Sequence, residues 1–243
     1  MKTIVIILAC LMLNLMTFGQ KAIKETQPVF KGVRNAAAQD YQSVADPVSK
    51  YFMERIKYPE NAAECCVEGT ELVEFVVTPH GNVTDINIIN RVCCDIDDEV
   101  KRVLESTNGM WIPGEENGQP VATKQEIALA FSMCRMQTGP ILEDFKVKAG
   151  KWYTLGNNAL LMEKKPKKAL RAYNNGIRLL PNDHALLFMR GLCNYELGDT
   201  ELARQDWSRL LDQGGTNISD FMMEGITDLK GFDELTAMFQ GEY

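Results

Sequence analysis

Cysteine is the residue type in this chain with the clearest capacity for chemistry. The sequence holds seven cysteines, and four of them form two adjacent pairs, Cys65 with Cys66 and Cys93 with Cys94. A thiol-disulfide enzyme more usually carries Cys-x-x-Cys at a helix start, and adjacent cysteines lack that spacing. Structural disulfides are the favoured interpretation, and buried free thiols are the alternative. Four cysteines allow three pairings, and the sequence does not choose among them.

Other reactive groups are scarce. The chain has two histidines, His80 in a predicted turn and His184 between two predicted helices, and neither has metal-ligand spacing around it. The acidic residues between 95 and 99 favour a capped helix start over a cation site. No Ser/His/Asp or Cys/His arrangement, phosphate-binding loop or pair of catalytic carboxylates stands out. We therefore predict no enzymatic activity, no cofactor and no metal.

Residues 1–19 have the pattern of a secretory signal peptide. Lys2 precedes an apolar run over residues 4–18, and small residues follow before Gln20. A retained membrane anchor is the rival interpretation, although the run is shorter than the ~20 residues that a spanning helix needs. Export to the periplasm is the predicted location, and no span is expected in the mature chain. Removing Lys2 lowers the formal net charge from −7 to −8, which disfavours nucleic acid as a partner.

The first part of the mature chain predicts a small α+β domain over residues 47–136, after a lead-in segment at 20–46. Asp46 and Pro47 predict a helix start. Alternating apolar residues predict strands at 69–77 and 83–89, and the turn residues between them predict an antiparallel hairpin. A second helix over residues 95–108, capped by Asp95 or Asp97, and a third strand over 121–131 complete a three-stranded antiparallel sheet with two helices that cover one of its faces.

The hairpin register brings the cysteine pairs together. Matching the apolar positions pairs Val73 with Ile88 and Phe75 with Ile86, which extrapolates to Val67 opposite Cys94. Both cysteine pairs are therefore expected at one end of the hairpin, where cross-strand disulfides would join the exit of the first helix to the start of the second.

An ordered set of residues lies between Tyr51 and Phe131: Tyr58, Pro59, Gly69, Gly81, Trp111, Pro113 and Gly114, followed by Asn117-Gly118-Gln119-Pro120-Val121. This set resembles the TonB carboxyl-terminal domain family, in particular its soluble Bacteroidetes members. Trp111 is expected to pack over the sheet as part of the core.

The resemblance implies a binding role for the third strand. In that family the last strand is a sheet edge that receives a short extended segment, the TonB box, of an outer-membrane receptor. The candidate receiving residues here are Thr123, Lys124, Gln125, Glu126, Ile127, Ala128 and Leu129. This chain departs from the energy transducers of the family because it lacks a recognisable anchor and a long Pro-rich spacer. We therefore expect capture of a partner strand and leave energy transduction open. Self-association of the edge into a homodimer is the alternative.

Residues 149–240 resemble tetratricopeptide repeats and predict an all-α domain with carboxyl-terminal capping helices. The candidate packing residues are Trp152, Gly156, Ala169, Tyr173, Gly191, Ala203 and Trp207. Gly156 and Gly191 lie 35 positions apart, whereas the repeat period is ~34, so we expect one extra residue in the loop at 164–168. Together the two domains predict a periplasmic adaptor that binds other envelope proteins, or alternatively a scaffolding module.

Overall fold

A computed structural model describes residues 25–33, 47–64, 67–132, 140–215 and 217–241. The predicted signal peptide, residues 1–19, lies outside the described residues, as do Cys65 and Cys66. We call residues 25–132 the sheet region and residues 140–241 the helical region.

The sheet region contains one main sheet and two small ones. In chain order its elements are β1 (Glu25–Thr26), β2 (Val29–Phe30), α1 (Pro47–Met53), α2 (Glu60–Glu64), β3 (Gly69–Val77), β4 (Val83–Asn90), α3 (Cys94–Glu105), β5 (Trp111–Ile112), β6 (Gly114–Glu116), β7 (Gln119–Val121) and β8 (Thr123–Phe131). The main sheet has the order β4-β3-β8 and is antiparallel throughout. The small sheets have the orders β1-β6-β7 and β2-β5.

The hairpin register agrees with expectation at one position and differs at another. Val73 lies opposite Ile88, as predicted. Phe75 was expected opposite Ile86, but the register shifts between Glu74 and Val76, so that two residues of β4 face Phe75. One of them, Asp85, has a φ of 51°, a left-handed conformation that bulges accommodate. Ile86 is thus one of the two residues that face Phe75, and the second was not predicted because the alternation of apolar residues does not reveal an extra residue in a strand.

Helix α3 begins differently from the prediction. Its N-cap position is Cys93, and no side chain forms a capping hydrogen bond there. Asp97, one of the two residues expected to cap the helix, is buried, and its Oδ2 lies 2.6 Å from Nε of Arg91. Asp97 is therefore explained by its ion pair with the exposed Arg91 and not by a cap.

The lead-in residues 25–33 are part of the core. The Phe30 side chain is fully buried, and its ring centroid lies 4.8 Å from the rings of Tyr51 and Trp111 and 5.7 Å from that of Phe52. The Lys31 backbone N–H donates to the Met110 carbonyl at 2.9 Å. Burying one such side chain contributes ~1.5–3 kcal/mol, which is enough to hold two-residue strands that would not persist alone.

The helical region forms two consecutive helical hairpins and a carboxyl-terminal helix. Its elements are α4 (Pro140–Asn157), a π-helical turn (Asn158–Met162), α5 (Pro166–Leu179), α6 (His184–Leu197), α7 (Thr200–Asp212), a 3-10 turn (Ile218–Phe221) and α8 (Phe232–Gln240). Helix α4 packs on α5, and α6 packs on α7. Among the described residues, no helix is long and apolar enough to cross a bilayer.

The two hairpins pack through equivalent glycine and aromatic residues. Gly156 of α4 faces the ring of Tyr173 of α5, and Gly191 of α6 faces the indole of Trp207 of α7, in both cases so closely that a Cβ would collide with the ring. The first pair is separated by 17 positions and the second by 16. The π-helical turn lies inside the longer interval and takes up one extra residue, because a π turn closes over five residues where an α turn closes over four. The extra residue thus lies before the loop in which it was expected.

Both faces of the main sheet are covered. Val73, Phe75, Ile127, Leu129 and Phe131 belong to a core shared with α1 and α3. On the opposite face, Leu72, Ala128 and Ala130 belong to the core of the helical region. The prediction had helices on one face only, so the docking of the helical region onto the sheet is a finding of the structure.

Candidate protein-binding strand

The main sheet has two edge strands, and they are built differently. Strand β4 is interrupted by two register shifts, where Asp85, Ile86 and Ile89 have no one-to-one partner on β3. Its residues Thr84, Asp85, Asn87 and Ile89 are exposed. Bulges and polar side chains on an edge disfavour pairing with another chain. The accessible edge β4 is therefore poorly suited to receive a strand.

Strand β8 is regular. Its nine residues pair with β3 without a register shift, from Thr123 opposite Val77 to Phe131 opposite Gly69. Accessibility changes along its length, because the residues from Ile127 to Phe131 are at most 5% exposed, backbone included. An incoming strand reaches this half only if α1 or the helical region moves.

The first four residues of β8 are the more accessible part. Lys124 is exposed, and its Nζ lies 3.0 Å from Oε2 of Glu74 on β3. Thr123 and Glu126 are half-buried. Gln125 is only 7% exposed, and its Nε2 donates to Oε1 of Gln27 at 3.2 Å. The lead-in segment therefore lies beside this end of the strand.

Glu126 ties β8 to the helical region. Nη2 of Arg209 on α7 lies 2.7 Å from Oε2 of Glu126. Nδ2 of Asn182, in the connection before α6, donates to Oε1 of Glu126 at 3.0 Å. Arg209 also donates to Oδ1 of Asn182, at 3.0 Å from Nε and 2.6 Å from Nη2. We call these three residues the Glu126 clamp; charge-assisted bonds of this kind are the stronger class of hydrogen bond.

The opposite end of the sheet has its own contacts with the helical region. Oγ1 of Thr70 donates to the Leu179 carbonyl at 2.7 Å. Nζ of Lys148 on α4 lies 2.8 Å from Oε1 of Glu68 and 2.7 Å from Oδ2 of Asp144. Contacts at both ends of the sheet fix the orientation of the helical region on it.

The residues that carry the family resemblance hold the sheet region together. The Tyr58 hydroxyl donates to the Val67 carbonyl at 2.7 Å. Gly81 has a φ of 78°, and a Cβ there would meet the Trp111 carbonyl. Trp111 is 1% exposed, and its Nε1 donates to Oγ1 of Thr107. The remaining members are Pro59 before α2, Gly69 at the start of β3, Pro113 between β5 and β6, and Gly114 at the start of β6.

The other predicted site residues lie elsewhere. Cys93 is half-buried and Cys94 is exposed, and no disulfide is seen among the described residues. Their predicted partners lie outside the described residues, so the disulfide prediction stays a prediction. In the helical region Ala169, Tyr173, Ala203 and Trp207 are fully buried, and Trp152 packs against the same core. Among the described residues, no group of three or more His, Cys, Asp or Glu side chains could hold a metal ion.

Sequence reasoning missed the Glu126 clamp and the buried Glu71. The clamp has no local signal, because its members lie 27 and 56 positions apart. Glu71 did have a local signal. It lies two residues before Val73, and alternate residues of a strand share a face, so Glu71 is on the apolar face of β3. It is fully buried, and burial is the main cause that raises its pKa to about 8.

The order of elements in the sheet region is helix, hairpin, helix and outermost strand. Residues 54–133 match the family described as Gram-negative bacterial TonB protein C-terminal. The match covers about a third of the chain. Among solved structures, an NMR solution structure of the Helicobacter pylori TonB carboxyl-terminal domain is 21% identical with a TM-score of 0.29, over 36% of this chain and 91% of that one. No curated protein matches significantly.

The family match gives the sheet region a general role. A TonB carboxyl-terminal domain is a non-enzymatic protein-interaction domain of the envelope. It indicates a TonB-like role in envelope transport, with envelope proteins such as receptors as partners. We refer to residues 54–133 as the TonB-like domain.

Proposed function

We propose that the TonB-like domain captures an extended segment of an envelope protein by strand addition at β8, starting at Thr123–Glu126. The outermost position of β8 in the order β4-β3-β8 supports this most directly, together with the family match over the same residues. An edge strand presents unpaired amides and carbonyls, which an incoming strand satisfies with little dependence on its sequence. Outer-membrane receptors with a TonB-box-like segment are the proposed partners.

The burial of β8 limits the binding free energy that strand addition can contribute. An edge of four residues offers two to four main-chain hydrogen bonds, each with a net value of about 0.5–1.5 kcal/mol. Forming a complex costs about 4–15 kcal/mol in lost translational and rotational freedom. The partner therefore needs further contacts, and the helical region docked on the same sheet is the surface nearest to supply them.

The helical region is proposed as the second binding surface of an adaptor. Its two hairpins with equivalent glycine and aromatic packing support a tetratricopeptide-like architecture, which binds protein segments along its helices. Exposed apolar side chains at Leu155 (51%) and Met162 (69%) lie on the first hairpin. Photoreactive residues at these two positions, with one at the similarly exposed Leu202 of the second hairpin as the comparison, test whether a partner contacts the first hairpin.

The experiment that tests strand capture is photocrosslinking in intact cells from position 124. Lys124 is exposed, whereas the neighbouring Gln125 is buried and bonded to Gln27. The matched control carries the same photoreactive residue at Asn87, exposed on the opposite edge strand β4. Mass spectrometry identifies the adducts of both.

The outcomes separate the candidate functions. Adducts with outer-membrane receptors from position 124, absent from position 87, are expected. Equal yields from both positions would contradict capture at β8. Adducts of the chain with itself alone would replace the proposal with homodimer formation through the edge, and sedimentation at several concentrations would then give its strength.

A further inference from the structure

Two buried carboxyl groups meet where β3 approaches the start of α3. Glu71 of β3 is 0% exposed and Asp97 of α3 is 3% exposed. Oε2 of Glu71 accepts from the Val92 backbone N–H at 2.7 Å. Oδ2 of Asp97 lies 2.6 Å from Nε of Arg91. Each carboxyl group therefore has a donor for one of its oxygens, and both donors come from the short connection between β4 and α3.

The second oxygen of each group lacks a donor. Oε1 of Glu71 and Oδ1 of Asp97 are buried, and no N–H or O–H group of the described residues reaches them. The two side chains lie within hydrogen-bonding reach of each other. Two ionised carboxylates cannot bond to each other, because both are acceptors only. A single proton between them converts the contact into a hydrogen bond and satisfies both oxygens.

The surrounding charges do not favour two negative groups. Arg91 is the cation that faces the pair, and its side chain is 58% exposed, so water weakens its effect. On β8 the residue opposite Glu71 is Leu129, which carries no charge. On α5, Arg178 packs with its carbonyl and aliphatic stem over Gly69, two positions from Glu71. Desolvation is the main cause that raises the pKa of Glu71, and the neighbouring Asp97 raises it further.

We propose that Glu71 and Asp97 form a one-proton binding site that fastens β3 to the first turn of α3. Loss of the proton places two negative charges in a buried contact and loosens this joint. The joint carries Cys93 and Cys94, so the proton also controls how firmly these thiols are held. This inference does not depend on strand capture at β8.

The direction of the pH effect follows from the raised pKa. Between about pH 4.5, where an ordinary glutamate ionises, and about pH 8, the folded chain holds a proton that the unfolded chain has released. The folded state is therefore favoured at the acidic side of this window, and stability falls as the pH rises through it. For one proton the unfolding equilibrium constant rises up to tenfold per pH unit.

The test is urea unfolding of the mature chain at pH 5, 6, 7 and 8, compared with the Glu71→Gln variant. Glutamine is neutral, can accept from Val92 and can donate to Asp97, so it imitates the protonated acid at every pH. We expect the wild-type unfolding constant to rise across the window and that of the variant to stay flat. Glu74→Gln is the matched control, because Glu74 is on the same strand but pairs with the exposed Lys124; it should keep the wild-type slope.

Three results would overturn the proposal. The first is a wild-type slope that Glu71→Gln leaves unchanged, and the second is a flat wild-type profile. The third is stabilisation of the wild type by added calcium at pH 7, which would identify the pair as a cation site. If Glu71→Gln does not fold, Asp97→Asn replaces it, and a carbon-13 carboxyl NMR titration of the wild type must show one glutamate titrating near pH 8.

Discussion

The two edge strands of the main sheet, β4 and β8, differ in regularity and in accessibility. Strand β4 is open to solvent but irregular, with three residues, Asp85, Ile86 and Ile89, that have no one-to-one partner on β3. Strand β8 is regular over nine residues, but more than half of it is buried between two cores. Irregularity protects the exposed edge from unwanted pairing, and burial protects the regular one.

This difference indicates where a partner strand can add. A regular edge is competent for pairing only where it is accessible, and the two conditions come nearest to coinciding at Thr123–Glu126, where Lys124 is exposed although Gln125 is buried. The Glu126 clamp closes this segment on the side of the helical region. The proposed strand capture and the docking of the helical region would therefore be linked through a single residue, Glu126.

The largest expected effect comes from placing a charge in the buried half of β8. Ala128→Glu puts a carboxylate between the sheet and the helical region, where Arg209, the cation beside Glu126 on the same face of β8, is already paired. We expect a loss of about 4 kcal/mol in the free energy of unfolding, the size typical of an uncompensated buried charge. Asn87→Glu on the exposed edge β4 is the control; its carboxylate lies opposite Glu74, and this like-charge pair should lower stability by at most about 1 kcal/mol. Urea denaturation measures both, and similar losses would show that the two edges do not differ.

Proline substitutions at the start of β8 separate binding from folding. Adjacent residues of a strand point their N–H groups to opposite sides, so one of Lys124 and Gln125 faces β3 and the other faces the open edge. Proline at the position whose N–H faces β3 should lower the free energy of unfolding by up to about 3 kcal/mol, because it leaves a carbonyl of β3 without its donor. Proline at the position whose N–H faces the open edge should leave the free energy of unfolding nearly unchanged. It should reduce crosslinking to the partner from a photoreactive residue at position 123. Full crosslinking by both folded variants would refute strand addition here.

The Glu126 clamp should matter more than the exposed ion pair two residues away. Glu126→Gln weakens charge-assisted bonds to Arg209 and Asn182 in a site where the side chains of Glu126 and Arg209 are 11% and 20% exposed. We expect the free energy of unfolding of Glu126→Gln to fall by about 2 kcal/mol. Glu74→Gln removes the partner of Lys124, whose side chain is 68% exposed, and should cost at most about 1 kcal/mol. A double-mutant cycle with Arg209→Gln measures the coupling, and a coupling near zero would dismiss the clamp.

Local sequence patterns predicted the main sheet well. Alternating apolar residues located β3, β4 and β8, and the register at Val73 and Ile88 is confirmed. Sequence patterns missed the strands of two or three residues, which are β1, β2, β5, β6 and β7. A segment this short cannot show an alternating pattern of apolar and polar residues. Their positions depend on tertiary contacts, above all the burial of Phe30 beside Trp111.

Contacts between the regions were harder to predict. The unbroken apolar run from Ile127 to Phe131 did carry a signal, since a strand with apolar residues at every position is buried on both faces. Ala128 and Ala130 are the apolar residues on the second face of the sheet, and they indicated that another part of the chain covers that face. The identity of that cover, and of Arg209 and Asn182 as partners of Glu126, depends on contacts over 56 to 83 positions that no local pattern encodes.

The smallest effect concerns the bulge that makes β4 irregular. Asp85 adopts a φ of 51°, and its Oδ2 accepts from Oγ1 of Thr84 at 3.2 Å. Aspartate tolerates this conformation better than residues without a short polar side chain. Asp85→Ala should therefore cost about 1 kcal/mol, whereas Asp85→Gly, which adopts positive φ without strain, should cost nothing or stabilise slightly. If alanine and glycine have equal effects in urea unfolding, backbone conformation does not set the bulge, and the irregularity of β4 must come from its packing against α3.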